Sequence, residues 1–188
     1  VKTHKSVDVT RDIVAAGHTR GITVSTLREA EHFFAHGFAD ILYAVGVTAN
    51  KFAQIAALIQ RGCDLCVILD SPSTARALGE FGAKQGLVIP ALIELDTDGH
   101  RAGIAPASDA LLVVAGELHD NPGLELRGVM THAGESYNCN TREALRVIAR
   151  LLAVAGPARP TAALLAYTPL DVPPEALEPA AVLEVLPA

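Results

Sequence analysis

Basic residues are few in this sequence, and they are scattered. Fifteen lysines and arginines stand against 21 aspartates and glutamates in 188 residues, a net charge of −6 at pH 7. With no basic cluster to neutralise a run of phosphates, a nucleic-acid surface is excluded and a small-molecule partner is the default. No apolar run approaches the ~20 residues that a membrane-spanning helix needs, and no secretory h-region is present. The three cysteines are an odd number, which fits a reducing compartment better than a disulfide framework. No low-complexity stretch or linker interrupts the chain. These absences predict a cytoplasmic protein with a single domain over residues 1–188. Half of its residues are hydrophobic, enough for one sizeable core.

What is present is a regular alternation. Helical stretches closed by Gly17, Gly37, Gly62, Gly86, Gly123 and Gly156 alternate with short β-branched runs at a period of roughly 25 to 35 residues, the size of one βα unit. The first helix carries Val9, Ile13 and Ala16 on one face, and a strand over 21–25 follows. Thr26 caps the next helix, with Glu29 completing a capping box and Leu27, Ala30 and Phe33 facing inward. A strand over 40–45 precedes a helix opened by Thr48 that buries Phe52, Ile55, Ala56 and Ile59.

The strand over 65–69 is nearly all apolar, as a parallel strand covered on both faces should be. Ser71-Pro72 starts a helix, and the strand over 87–95 runs into the acidic turn Asp96-Thr97-Asp98-Gly99. A helix from about Pro106 carries Leu111, Val114, Ala115 and Leu118, and a strand over 124–130 follows. Asn140 caps the next helix, with Glu143 at the third position and Ala144, Val147, Ile148 and Leu151 inward. Strands over 161–165 and 181–186 complete the pattern. Counting a truncated strand at Val1, it predicts an α/β fold, a (β/α)8 TIM-type barrel incomplete at its first strand. The chain, beginning with Val inside that strand, is expected to be a fragment.

Reactive groups in such barrels come from the C-terminal ends of strands, which predicts one cleft gathering Lys2, Asp70, Asp96, Arg101, His132 and Tyr137. On residue type alone, each has two readings. Lys2 is a nucleophilic amine if burial and Lys5 lower its pKa, or a solvated terminal lysine. His132 stacks on a ring or moves a proton near neutrality, or is a satisfied structural histidine. Arg101 donates hydrogen bonds to an oxygen, or pairs with Asp96 or Asp98 in a surface loop. Tyr137 is a hydrogen-bond donor or a packed aromatic. Cys63 and Cys66 have redox spacing but lead into a strand, so two packed thiols are expected. Asp96, Asp98 and His100 read as a solvated turn, and no metal site is expected.

Four stretches, in order, carry a family likeness. They are Lys2-Thr3-His4-Lys5-Ser6, the segment 21–31 from Gly-Ile-Thr-Val to Glu-Ala-Glu, Ile93-Glu94-Leu95-Asp96-Thr97-Asp98-Gly99-His100-Arg101-Ala102-Gly103, and Thr131-His132-Ala133-Gly134-Glu135-Ser136-Tyr137. With them the chain resembles the D-threonine aldolase and D-serine dehydratase family, whose members carry the alanine-racemase-type barrel of fold type III pyridoxal-phosphate enzymes. The resemblance implies pyridoxal 5'-phosphate as cofactor and catalytic roles for Lys2 and His132. Lys2 would form the Schiff base, Arg101 approach the phenolic oxygen, His132 lie against the ring and Tyr137 lie near the pyridine nitrogen.

The phosphate would sit after the seventh strand, where Ala166-Tyr167-Thr168-Pro169 stands in place of the family's Gly-Ser-Thr-Pro. Tyr167 and Thr168 are the binding residues there, although the lost glycine adds a Cβ where backbone should approach phosphate. The closing Glu184-Val185-Leu186-Pro187-Ala188 replaces the family's Glu-Leu-Arg-Pro-Gly. The resemblance further implies a lyase acting on D-β-hydroxy amino acids such as D-serine or D-threonine, and a homodimer when full length. It also implies a divalent metal, zinc or manganese, whose ligands belong to a C-terminal β domain absent here, so that this chain alone is expected to be inactive. A pyridoxal-phosphate racemase and a non-catalytic, cofactor-binding barrel are the alternatives.

Overall fold

A computed structural model describes residues 1–146, except Lys2, His18, Arg20, Asp98, His100, Ala107, Ala133, Glu135, Ser136, Tyr137 and Leu145. The expected strands over 161–165 and 181–186, the inward residues Val147, Ile148 and Leu151, Gly156, and the phosphate-binding Tyr167 and Thr168 lie outside the described residues.

Five parallel strands, β1 (Ile22–Val24), β2 (Asp40–Gly46), β3 (Asp64–Leu69), β4 (Ile89–Leu95) and β5 (Leu124–Thr131), lie side by side in chain order. Five α-helices alternate with them, α1 (Val7–Ala15), α2 (Leu27–Ala35), α3 (Phe52–Gln60), α4 (Pro72–Lys84) and α5 (Asp109–Asp120). Sequential parallel neighbours joined by helices form the arc of a βα barrel, as the alternation predicted.

Both faces of the sheet are covered. Ile41, Leu65, Val67, Leu69, Ile93 and Leu95 pack outward against Phe33, Ile55, Leu58, Leu78, Val114 and Leu118 from the helices. The other face carries a smaller cluster of Leu42, Ile68, Leu92 and Met130, with Ala44 and Cys66 against it. That second face is the inside of the barrel. At its N-terminal end a bulge in β5 leaves Arg127 unpaired in the ladder. Its guanidinium bonds to Asp64 Oδ1 (2.6 Å) and Glu125 Oε2 (3.1 Å).

The start signals are as read. Thr26 Oγ1 accepts from Glu29 N (3.1 Å) while Glu29 Oε2 accepts from Thr26 N (3.2 Å), so the capping box is formed. Ser71 Oγ accepts from Thr74 N (3.4 Å) ahead of Pro72. Leu27, Ala30 and Phe33 are buried.

Other expectations need correction. In α1 the inward residues are Val7 and Val14, while Val9 and Ile13 are 45% and 41% exposed. The helix has apolar residues in two phases, and the one containing Thr10 is buried because its hydroxyl donates to Ser6 O (2.7 Å) and is thereby satisfied. The helical turn after β5 is capped one residue later than expected, by Thr141, whose Oγ1 accepts from Ala144 N (3.2 Å). Residues 87 and 88 precede β4, since Leu87 N donates back to Gly82 O (2.9 Å) as part of the exit from α4. Val1 is not in a strand; its terminal amine donates to Thr23 O (3.1 Å) beside β1, and Lys5 N closes a turn onto Val1 O (3.0 Å).

Gly123 does not close a helix through a left-handed backbone, as Gly17, Gly37, Gly62 and Gly86 do. It is there because α4 passes against it: a Cβ at Gly123 would collide with Gly79 O and Ala83 N, which are backbone atoms. Among the described residues, no helix is long and apolar enough to cross a membrane.

Because those atoms belong to the main chain and cannot rotate away, Gly123→Ala should destabilise the fold by about 3 kcal/mol, the upper range for overpacking. The check is the urea midpoint, with Gly116→Ala, which meets open space, expected to lie close to wild type or above it.

Candidate functional site

The C-terminal ends of β3, β4 and β5 carry Asp70, Asp96 and His132 as the residues that follow each strand. All three are half-buried, and the parallel sheet brings them to one end of the barrel, as expected. Lys2 and Tyr137 lie outside the described residues.

The segment after β4 does not leave the sheet. Ile104 N donates to Glu94 O (2.9 Å) and Asp96 N donates to Ile104 O (3.0 Å), forming a bridge that folds the loop back onto the strand. Inside the loop, Gly99 N donates to Asp96 Oδ1 (2.9 Å), and Gly103 N donates across to Asp70 Oδ2 (3.1 Å). Gly103 has φ +122°, and a Cβ there would stand 2.6 Å from Asp96 N. Only glycine passes through this point without displacing the strand end. Arg101, two residues earlier and exposed, is thereby held over the end of β4.

Beneath it lies Glu94, the one charged side chain of β4, 8% exposed. Glu94 alternates with Ile93 and Leu95, which face the helices, and pairs in register with Met130 of the inner cluster. Its carboxylate therefore points into the barrel. Burial pushes its pKa above the ordinary carboxylate value, and Asp70 and Asp96 push the same way, while the Arg101 charge opposes them. Among the described residues the Glu94 carboxylate accepts no hydrogen bond, and no carboxylate comes within ion-pair distance of Arg101. The surface pairing of Arg101 with Asp96 is thus not formed. Beside this group, Thr97 and Thr131 join the ends of β4 and β5 by a hydroxyl–hydroxyl bond (3.1 Å).

The Lys-Thr-His-Lys-Ser turn is anchored from outside the cleft. Lys5 takes a left-handed backbone, φ 49°, which costs a non-glycine residue about 1 kcal/mol, and its ammonium pairs with Glu29 Oε1 (3.0 Å). Glu29 also accepts from Ser25 N (2.9 Å). Burial would raise the Glu29 pKa, but the Ser25 and Thr26 N–H groups and the Lys5 charge hold it below its ordinary value.

Cys63 and Cys66 are packed thiols, as expected. Burial raises the first to about 11 and the second to about 12, with Asp64 adding to both. The described residues contain no group of three or more His, Cys, Asp and Glu side chains that would hold a metal ion. The sequence reading named Arg101 and His132 but passed over Glu94. The available signal was a lone carboxylate inside an otherwise apolar strand.

Residues 1–167 match the alanine racemase N-terminal domain family. The chain is 51% identical over 150 residues to D-threo-3-hydroxyaspartate dehydratase of Delftia sp. strain HT23, covering 79% of this chain and 39% of that protein. It is 29% identical over 154 residues to D-serine dehydratase of Dictyostelium discoideum, covering 75% of this chain and 38% of that protein. The solved structure of the Delftia dehydratase superposes with a TM-score of 0.77 at 49% identity, over 80% of this chain and 40% of that one. The chain therefore spans about two fifths of the length of these relatives.

Thiols titrating that high hold almost no thiolate at pH 8. Cys63 and Cys66 should resist iodoacetamide in the folded protein and be alkylated at once in denaturant. Peptide mass spectrometry reads both, and rapid native labelling of either would contradict the burial described.

Proposed function

The chain belongs to the alanine racemase N-terminal domain family, and on that premise we propose that it is the cofactor-binding barrel of a pyridoxal-phosphate lyase for D-β-hydroxy amino acids. D-threo-3-hydroxyaspartate is the first substrate to test. The observation that carries the reading is the 51% identity to a dehydratase of that compound. The net reaction removes the Cα proton and the Cβ hydroxyl as water. Tautomerisation and hydrolysis then give a 2-oxo acid and ammonia.

The described residues suit part of such a cofactor. Glu94, near the end of β4, and Arg101, in the loop after it, bond to no side chain among the described residues. Pyridoxal phosphate, when bound, supplies an electron sink for the bond that breaks at Cα.

The chain's own groups do the rest. Lys2 would bind the cofactor's aldehyde group and would serve as base for the Cα proton. Arg101 donates hydrogen bonds to the ring's phenolic oxygen and cannot itself titrate. His132, which follows β5, would lie against the ring. Tyr137 donates to the ring nitrogen, and Tyr167 and Thr168 receive the phosphate. A divalent metal, held by residues other than those named here, would supply Lewis-acid help to the departing hydroxyl. A cytoplasmic setting and a homodimer of the whole protein complete the proposal.

The chain mixed with pyridoxal phosphate should develop a yellow absorbance band that borohydride fixes covalently onto Lys2, located by peptide mass. Lys2→Ala should abolish the fixed adduct, and an unchanged band in that variant would refute the assignment.

Turnover provides a separate check. The 188 residues alone should release no measurable ammonia or 2-oxo acid from D-threo-3-hydroxyaspartate, D-serine or D-threonine. Ammonia release would show that this chain suffices, whereas mixing of D- and L-isomers would mean racemisation.

A further inference from the structure

Helix α2 carries two histidines one turn apart, His32 and His36, and the chemistry of the cleft uses neither. Residues four apart on a helix stand one above the other. This is the spacing at which paired helical histidines hold zinc in metalloprotease motifs. Both residues are exposed. Because α2 leads into β2, its last turn lies at the N-terminal end of the strands, away from Asp70, Asp96 and His132.

Three features of the pair favour a cation. The ring centroids are 4.6 Å apart with an interplanar angle of 49°, and two imidazoles bonded side by side to one ion at about 2.1 Å have centroids roughly 5 Å apart. The rings already stand near the separation that a shared ion requires. Next, His36 Nδ1 donates to His32 O (2.7 Å), since a carbonyl oxygen only accepts. In the neutral ring that bond keeps the proton on Nδ1 and leaves the Nε2 lone pair free, the arrangement usual behind metal-ligating histidines. Finally, His36 is the C-cap of α2, and its backbone N–H closes onto Phe33 O (3.0 Å). The partial negative charge at a helix C-terminus favours a cation there.

We propose that His32 and His36 form a surface site for one divalent transition-metal ion of the nickel, copper or zinc class, with water in the remaining positions. Imidazole suits these ions, whereas magnesium and calcium prefer oxygen. Among the described residues no third His, Cys, Asp or Glu joins the pair. An ion that spans one turn of α2 binds the folded helix in preference to the unfolded chain and so stabilises it. The site is independent of the cofactor assignment made above.

The test is a calorimetric titration of the full, untagged chain with nickel chloride, in wild type, His32→Gln and His36→Gln. His119→Gln, at an exposed histidine of α5, is the control, and each protein is melted with and without nickel. Two imidazoles on one helix act at a high effective concentration, so either variant of the pair should bind nickel about a hundredfold more weakly. The two losses should match, because each leaves one imidazole. Nickel should raise the melting temperature of wild type and His119→Gln and leave the other two unmoved. His32→Gln keeps the carbonyl that His36 bonds, so its metal-free melting temperature should equal wild type, and its weaker binding then reads the loss of a ligand.

Equal nickel affinity in wild type and either variant of the pair would overturn the proposal, as would loss of binding in His119→Gln. Calcium raising the wild-type melting temperature as far as nickel does would also overturn it, since an imidazole pair does not select calcium.

Discussion

The return of the loop after β4 onto its own strand is the constraint on which the rest of the cleft depends. Each backbone hydrogen bond at Ile104 contributes only about 1 kcal/mol net. Their effect is geometric more than energetic, because they leave the loop one path, and Gly103 is the residue that can follow it. Without that path Arg101 would be one more solvated arginine. The Asp70 and Asp96 charges would then act on Glu94 without the opposing Arg101 charge. Loop and strand are therefore interdependent: the strand supplies the carbonyl and amide that hold the loop, and the loop supplies the charge that makes the strand's carboxylate tolerable.

The two ends of the described sheet are charged in different ways. At the N-terminal end Arg127 is matched by Asp64 and Glu125 at hydrogen-bond distance, so the charges are spent on one another and tie β5 to β3 across the intervening β4. At the C-terminal end the Asp70 and Asp96 carboxylates are instead tied to the backbone of the loop after β4. The C-terminal end of the strands is where barrels of this kind gather their function.

Much of this was legible in the sequence, for specific reasons. Thr26 with Glu29, and Ser71 with Pro72, are local signals in which one side chain meets a backbone group three residues away, so no tertiary context is needed. The α1 face was misread because valines and isoleucine occupy two helical phases, and which one is buried depends on where the sheet lies. Asn140 and Thr141 are both able caps, and only the path of the chain selects the second. Glu94 was hidden for a deeper reason. A strand buried on both faces has no polar alternation, so the sequence does not say which side points into the barrel. Without that side, a carboxylate in the strand cannot be assigned to the cleft.

Glu29 serves two structures at once. One carboxylate accepts the amides that start α2 and also takes the Lys5 ammonium, so the entry to a helix on the outside of the barrel and the turn that carries the lysine motif share a single anchor. A tilt or register change in α2 is thereby transmitted to the lysine segment without passing through the core. The same anchor makes the turn dependent on the packing of its neighbour, so that helix and turn must diverge or be preserved together.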